Sequence, residues 1–288
     1  MMKKRHLAAA LCAALLFTRG AQAAVTLEAP AEAKIGQPFV VNLRVVDEKL
    51  SDVKISWQKK EARLAPDASG SYCALIGTDF KNAKAGAAPL AVSFRSEAKE
   101  GRTERIDHTI KLTSYKYPSE NISVEPSKVN PPKELAERIA REAKLGRAAL
   151  QSQSGGRAPA LPLVRPVPGL FTSVYGKSRY FNGQFRGRHG GVDMRAKEGT
   201  PVKAAADGAV TLAANFWFAG NCVYLDHGAG FVTFYCHMSK LKVKTGDRIK
   251  AGDAIGLSGQ TGRVTGPHLH FSTIWQGEFF DPAAIMEK

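Results

Sequence analysis

Short apolar runs broken by turn formers cover the first third of the chain, and two of them alternate strictly: Phe39-Val40-Val41-Asn42-Leu43-Arg44-Val45 and Ile106-Asp107-His108-Thr109-Ile110-Lys111-Leu112. A period of two sends successive side chains to opposite faces, which is the signature of a half-buried strand. Residues 25–27, 39–46, 53–57, 72–76, 90–94 and 106–112 are therefore predicted strands, punctuated by Gly36, Pro38, Asp67-Ala68-Ser69-Gly70 and Lys84-Ala85-Gly86. That density of strands and turns predicts an immunoglobulin-like β-sandwich over residues 24–117. Trp57 followed by Cys73 suits the core of such a sandwich, although one cysteine cannot make an intersheet bridge. His108, among polar neighbours in an alternating run, reads as a surface or satisfied histidine.

The period then changes. Pro118, Pro126, Pro131 and Pro132 interrupt regular structure and open a linker over residues 118–170. One helix is predicted inside it, capped by Asn130, with Pro131 and Pro132 in the first turn and an apolar stripe of Leu135, Ala136, Ile139, Ala140 and Ala143. Residues 152–157 read as a flexible strip, and Pro162, Pro166 and Pro168 extend the chain onward. From 171 to 288 strand patterns return at residues 202–205, 209–213, 222–225, 232–235, 254–257 and 268–274. A hairpin at 226–230 and the phrases Lys244-Thr245-Gly246-Asp247 and Lys250-Ala251-Gly252-Asp253 add tight glycine turns, so this region is predicted to be a compact antiparallel β fold. The fold class is mainly β: a sandwich, a linker with one helix, and a second β domain.

The N-terminus changes the setting. Lys3, Lys4 and Arg5 precede an apolar run from Leu7 to Phe17, and Ala21-Gln22-Ala23 offers small residues for cleavage, so residues 1–23 read as a signal peptide. The run is shorter than the ~20 residues needed to span a bilayer, and Cys12 lies inside it, which argues against lipidation; no stable membrane insertion is expected after cleavage. The expected location is outside the inner membrane: periplasmic, secreted or wall-associated. Net charge is +15 and stays clearly positive without Lys3, Lys4, Arg5 and Arg19. In an exported protein this favours anionic envelope polymers as partners over nucleic acid. Of the cysteines beyond the signal, Cys222 and Cys236 flank the predicted hairpin and face each other across it, either as a cross-strand disulfide or as two buried thiols.

Chemistry concentrates in the last hundred residues, which hold five of the seven histidines. His189 and Asp193 lie four apart, a spacing that returns to one face of a strand, and Gly190 and Gly191 argue against a helix there. His268 and His270, two apart, project from one face of a strand. Two imidazoles and a carboxylate can supply three positions on zinc and leave a fourth open, as a catalytic site requires. Spacing alone leaves open whether His268 or His270 is the ligand. His227 is assigned to the hairpin turn, Asn182-Gly183 to a turn or a groove border, and Phe216-Trp217-Phe218 either to a groove or to packing on the linker helix.

The phrases Arg188-His189-Gly190-Gly191-Val192-Asp193, Tyr235-Cys236-His237-Met238-Ser239 and Gly266-Pro267-His268-Leu269-His270-Phe271 make residues 171–285 resemble the lysostaphin/LytM-type zinc metallopeptidases, which cut peptide bonds in bacterial peptidoglycan. The resemblance implies one zinc ion per chain on His189, Asp193 and His270. It implies His237 and His268 beside the metal, acting as general base and transition-state stabiliser, with the division between them open. It further implies peptidoglycan as partner, cleaved at a cross-link or stem peptide, with the upstream sandwich docking the enzyme or the linker shielding its groove. A regulatory protein partner is left unidentified. Two rivals are weaker: a catalytically silent relative that activates a cell-wall amidase would be expected to lack ligands that are all present here, and a lipoyl-like carrier would leave the histidines unexplained.

Overall fold

The computed structural model describes residues 24–78, 80, 81, 83–151 and 154–287. The expected signal peptide, and Ser152 and Gln153 of the predicted flexible strip, lie outside the described residues. Eight strands come first: β1 (Ala24–Glu28), β2 (Glu32–Lys34), β3 (Pro38–Val46), β4 (Leu50–Trp57), β5 (Lys60–Arg63), β6 (Tyr72–Gly77), β7 (Gly86–Ser96) and β8 (Thr103–Thr113). They form one sheet in the order β1-β3-β6 and another in the order β2-β8-β7-β4-β5. The alternation read from the sequence sets their faces: in β3, Phe39, Val41, Leu43 and Val45 are buried while Val40 and Val46 are exposed. The two sheets meet through these side chains, and the Phe39 ring stands edge-on to buried Trp57 at 5.2 Å between centroids. His108 on β8 places Nε2 3.2 Å from the Pro30 carbonyl, a satisfied position.

Beyond residue 118 the chain is more regular than its prolines suggest. β9 (Ser119–Ile122) is followed by α1 (Pro126–Val129), a 3-10 turn (Lys133–Leu135) and α2 (Ala136–Ala149). Asn130 does not cap α2. Its backbone N–H bonds the Pro126 carbonyl and closes α1, and its side-chain oxygen takes Arg186, so α2 begins from the 3-10 turn with Leu135 as N-cap. The apolar side of α2 lies on the second β region, where Ala149 clusters with Phe216, Cys222, Tyr224 and Cys236. Glu142 on the same helix accepts from the Trp217 backbone N–H at 2.7 Å, so Phe216-Trp217 is tied to the linker helix.

Thirteen strands follow: β10 (Phe171–Ser173), β11 (Ser178–Phe181), β12 (Gln184–Arg188), β13 (Val192–Arg195), β14 (Pro201–Lys203), β15 (Gly208–Phe216), β16 (Gly220–Gly228), β17 (Phe231–Met238), β18 (Lys240–Leu241), β19 (Arg248–Ile249), β20 (Ala254–Leu257), β21 (His268–Trp275) and β22 (Glu278–Phe280). The main sheet runs β10-β13-β21-β17-β16-β15-β19, with β22 also on β21. The β16–β17 turn uses positive φ at both Ala229 and Gly230, as a tight hairpin matched to strand twist demands. Cys222 and Cys236 are free, buried thiols across this hairpin, and burial pushes Cys222 up to about 12. No helix among the described residues is long and apolar enough to cross a membrane.

The two β regions are joined by backbone and side chains. Asp281 N–H donates to the Gly36 carbonyl at 2.8 Å, and Lys60 reaches Glu278 at 3.0 Å and the Gln276 carbonyl at 2.7 Å. Gly77 at the end of β6 is a close approach: a Cβ there would lie 2.0 Å from Phe280 Cδ1. Gly77→Val is therefore expected to destabilise the whole chain by about 1–3 kcal/mol through overpacking, read as a lower urea midpoint; an unchanged midpoint would show that this contact is not close-packed in solution.

His227 supplies a second test. Its Nδ1 lies 2.6 Å from the Asp207 carbonyl and its Nε2 2.7 Å from Thr233 Oγ1, and burial pushes its pKa down from 6.5 to about 4. An unfolded chain takes up a proton here below its ordinary pKa while the folded chain resists, so stability present above pH 6.5 is lost as pH falls toward 4. Urea midpoints measured across that interval are expected to fall less steeply in His227→Gln than in the wild type, and parallel curves would contradict the assignment.

Candidate metal centre

Sheet register assembles the centre. β13 pairs with β21 so that Asp193 lies opposite His270, and β21 pairs with β17 so that His270 lies opposite Cys236, next to His237. His189 sits just ahead of β13, and Gly190-Gly191 carries the chain from it into the strand. Gly191 passes so near β21 that a Cβ would lie 2.1 Å from the Phe271 carbonyl. No larger residue would let His189 return to Asp193.

The result is a compact donor set. Asp193 Oδ1 is 2.9 Å from His189 Nε2 and 2.8 Å from His270 Nδ1, and those two nitrogens are 2.9 Å apart. Among the described residues these three form the group that can hold a metal ion. His268 stands beside them, with Nε2 3.8 Å from Asp193 Oδ1. His237 faces His268, their ring centroids 4.9 Å apart. All five residues singled out in the sequence thus converge, whereas His227 stands apart, near the end of strand β16 and just ahead of the turn assigned to it from the sequence. Asn182 and Gly183, both at positive φ, make the β11–β12 turn, and Asn182 bonds both polar groups of the Val124 backbone.

Hydrogen bonds fix which nitrogen of each ring is basic. A carbonyl only accepts, so the ring nitrogen facing one must carry the proton. His189 Nδ1 donates to Val174 at 2.9 Å, His237 Nδ1 to Thr261 at 2.9 Å, and His268 Nδ1 to Gly266 at 2.8 Å. Nε2 is therefore the lone-pair atom in each. His270 has Nε2 on the Ser272 hydroxyl at 2.9 Å, leaving Nδ1 for the centre. Burial holds His237 down at about 3, helped by His268 and His270, and burial likewise lowers His270 to about 4. Burial alone would raise Asp193, but the imidazoles of His189 and His270 hold it well below the usual carboxylate range. Two neutral imidazoles with their other nitrogens already bonded, plus an ionised carboxylate, fit zinc as a three-ligand open site.

The second Asp193 oxygen takes Arg179 Nη2. Arg179 Nε in turn donates to Glu120 on β9 at 2.7 Å, and Lys177 reaches the other Glu120 oxygen at 2.9 Å. Glu120 also accepts from Ser173, whose hydroxyl is 3.4 Å from His189 Nδ1. Sequence reading missed Arg179, Glu120 and Ser173. Glu120 reaches Arg179 only because β9 pairs in parallel with β11, and no local pattern announces that. Ser272 did carry a signal, since His268, His270 and Ser272 keep the period of two.

Residues 187–282 match peptidase family M23. The peptidoglycan DD-endopeptidase ShyA of Vibrio cholerae is 48% identical over 89 residues, covering 31% of this chain and 21% of ShyA. The DD-carboxypeptidase/endopeptidase Mpg of Neisseria meningitidis is 39% identical over 97 residues, covering 34% of this chain and 22% of Mpg. The chain thus spans about a fifth of the length of these curated relatives. A crystal structure of a protein assigned to peptidase M23 from Pseudomonas aeruginosa superposes with a TM-score of 0.63 at 28% identity, over 86% of this chain and 92% of that one. The match spans all five converging residues and the strands β13, β17 and β21 that bring them together, and the chain therefore carries a peptidase family M23 domain over residues 187–282.

Proposed function

We propose that this protein is an exported zinc metalloendopeptidase that hydrolyses peptide bonds in bacterial peptidoglycan. The observation that carries the reading is the donor set itself: one carboxylate and two imidazoles on one ion-sized point, with two further imidazoles of defined tautomer beside it. The relatives' printed activities supply the substrate class, and the pattern of residues 1–23 supplies export. The fold of residues 24–117 into two facing sheets supports an immunoglobulin-like module that docks the enzyme on the wall or governs access. A silent regulator is not favoured, because every residue of the set is present.

In this reading His189 Nε2, Asp193 and His270 Nδ1 hold zinc, which when bound supplies Lewis acidity to the substrate carbonyl and makes water acidic enough to attack near neutral pH. His237 and His268 both present Nε2 as an acceptor. Either can take the proton of the attacking water while the new C–O bond forms, and the imidazolium so made can pass that proton to the amide nitrogen as the C–N bond breaks. The products are a carboxylate and an amine. Burial makes an imidazolium at His237 costly, so a proton taken there is held briefly. Arg179 fixes the second Asp193 oxygen and keeps the carboxylate aimed at the metal.

Two measurements test this. In competition with a chromophoric chelator, the wild type is expected to bind one zinc per chain, with His189→Ala and Asp193→Asn losing tight binding and Arg179→Met weakening it about 10–100-fold; wild-type affinity in all three variants would remove the metal assignment. Digestion of purified peptidoglycan should release new peptide termini with zinc and none with chelator, and His237→Ala should be slower by about 10²–10⁴-fold. Absence of new termini from the zinc-loaded wild type would end the peptidase reading.

A further inference from the structure

Three arginines gather near the centre, and of the three only Arg179 has carboxylate partners among the described residues. Arg179 has Glu120 and Asp193. Arg186 bonds the neutral oxygens of Asn130 and Gln184. Arg263 is half-buried with its guanidinium between the Phe181 and Phe218 rings, at 4.3 and 4.6 Å from their centroids, and among the described residues it has no carboxylate partner. Burial, together with the charges of Arg179 and Arg186, pulls its pKa down to about 10. A guanidinium taken from water and set among like charges is unfavourable unless an anion completes the site. The aromatic faces hold it in one orientation, with its donor edges left for a planar acceptor.

What adjoins these arginines narrows the anion. A cavity of about 550 Å³ is lined by Arg186, Arg263 and Phe218 together with Ile139, Ala140 and Ala143 of α2 and Lys133 of the 3-10 turn before it. Small aliphatic walls together with a guanidinium pair suit a short aliphatic chain that ends in a carboxylate, and would be wasted on phosphate or sulfate. The arginines are also tied to the centre through the chain: Thr261, two residues before Arg263, accepts from His237 Nδ1, and Arg179 bonds Asp193.

From this juxtaposition we infer that Arg263 and Arg186 form a subsite for the free carboxylate of a short aliphatic peptide end, and so select substrate strands that carry one. The inference rests on the peptidase reading for its substrate, but the subsite can be tested without turnover. The full chain, stripped of zinc so that the carboxylate has no metal to bind, is titrated calorimetrically with N-acetyl-D-alanyl-D-alanine and with its carboxamide. The acid is expected to bind about tenfold more tightly than the amide. Arg186→Gln, on the exposed side, and Arg263→Met, which keeps the stem between the two rings, should each reduce that preference while leaving affinity for the amide unchanged. Equal affinities in the wild type, which need no variant to fold, would overturn the proposal, as would a preference that survives the double substitution. A chain that prefers the acid but leaves peptidoglycan uncut keeps the subsite and loses the peptidase reading; one that cuts peptidoglycan without the preference does the reverse.

Discussion

The buried carboxylate of Asp193 is the constraint around which this molecule is arranged. An ionised carboxylate away from water is tolerable only when both oxygens are bonded to donors or cations. One oxygen converges with the lone-pair atoms His189 Nε2 and His270 Nδ1, a trio that a cation completes, and the other takes Arg179. Those partners come from three places: the loop before β13, the strand β21 opposite, and β11. Removing any one would leave a charge that the surrounding sheet cannot solvate, so the demand of a single side chain fixes the register of β13 on β21 and the position of β11.

The same demand reaches upstream. Arg179 brings a positive charge into the cleft, and Glu120 on β9 balances it while holding Lys177 as well. Burial would raise the Glu120 carboxyl, but these two cations keep it below its ordinary value. The chain segment after the first sandwich is thus part of the electrostatics of the centre. With Phe280 packed against Gly77 and Asp281 bonded to Gly36, the first β region and the centre are mechanically continuous, and loosening of one contact is felt at the other.

Local pattern and tertiary pairing divide what the sequence could disclose. The strands of the sandwich were legible because their apolar residues alternate, and His268 and His270 were legible as one face of a strand. His189 and Asp193 were read as one strand face, yet only Asp193 is in the strand. His189 reaches it from a loop that Gly191 allows to pass against Phe271. The short strand β12 was not legible, because it is exposed almost throughout and leaves no apolar rhythm. Asn130 looked like a cap for α2 because its type and place suited one; a turn of helix ahead of it had already used its backbone. Glu120 and Arg179 stand 59 residues apart, and nothing in either neighbourhood points to the other.

His237 shows how far the setting of the centre extends. Its φ is 66°, a left-handed conformation that costs a non-glycine residue on the order of 1–3 kcal/mol and persists only where neighbours over-determine it. Here the neighbours are two loops. The His237 N–H bonds Ala219, and its Nδ1 bonds Thr261. The loops are locked to each other where Arg263 N–H bonds Phe218 and where a Cβ on Gly262 would meet that same carbonyl at 2.5 Å. The first loop is in turn fixed by Glu142 of α2 through Trp217. The strained imidazole is therefore held in place by the linker helix, so a movement of α2 would act on the conformation of His237 without touching the three residues that gather on Asp193.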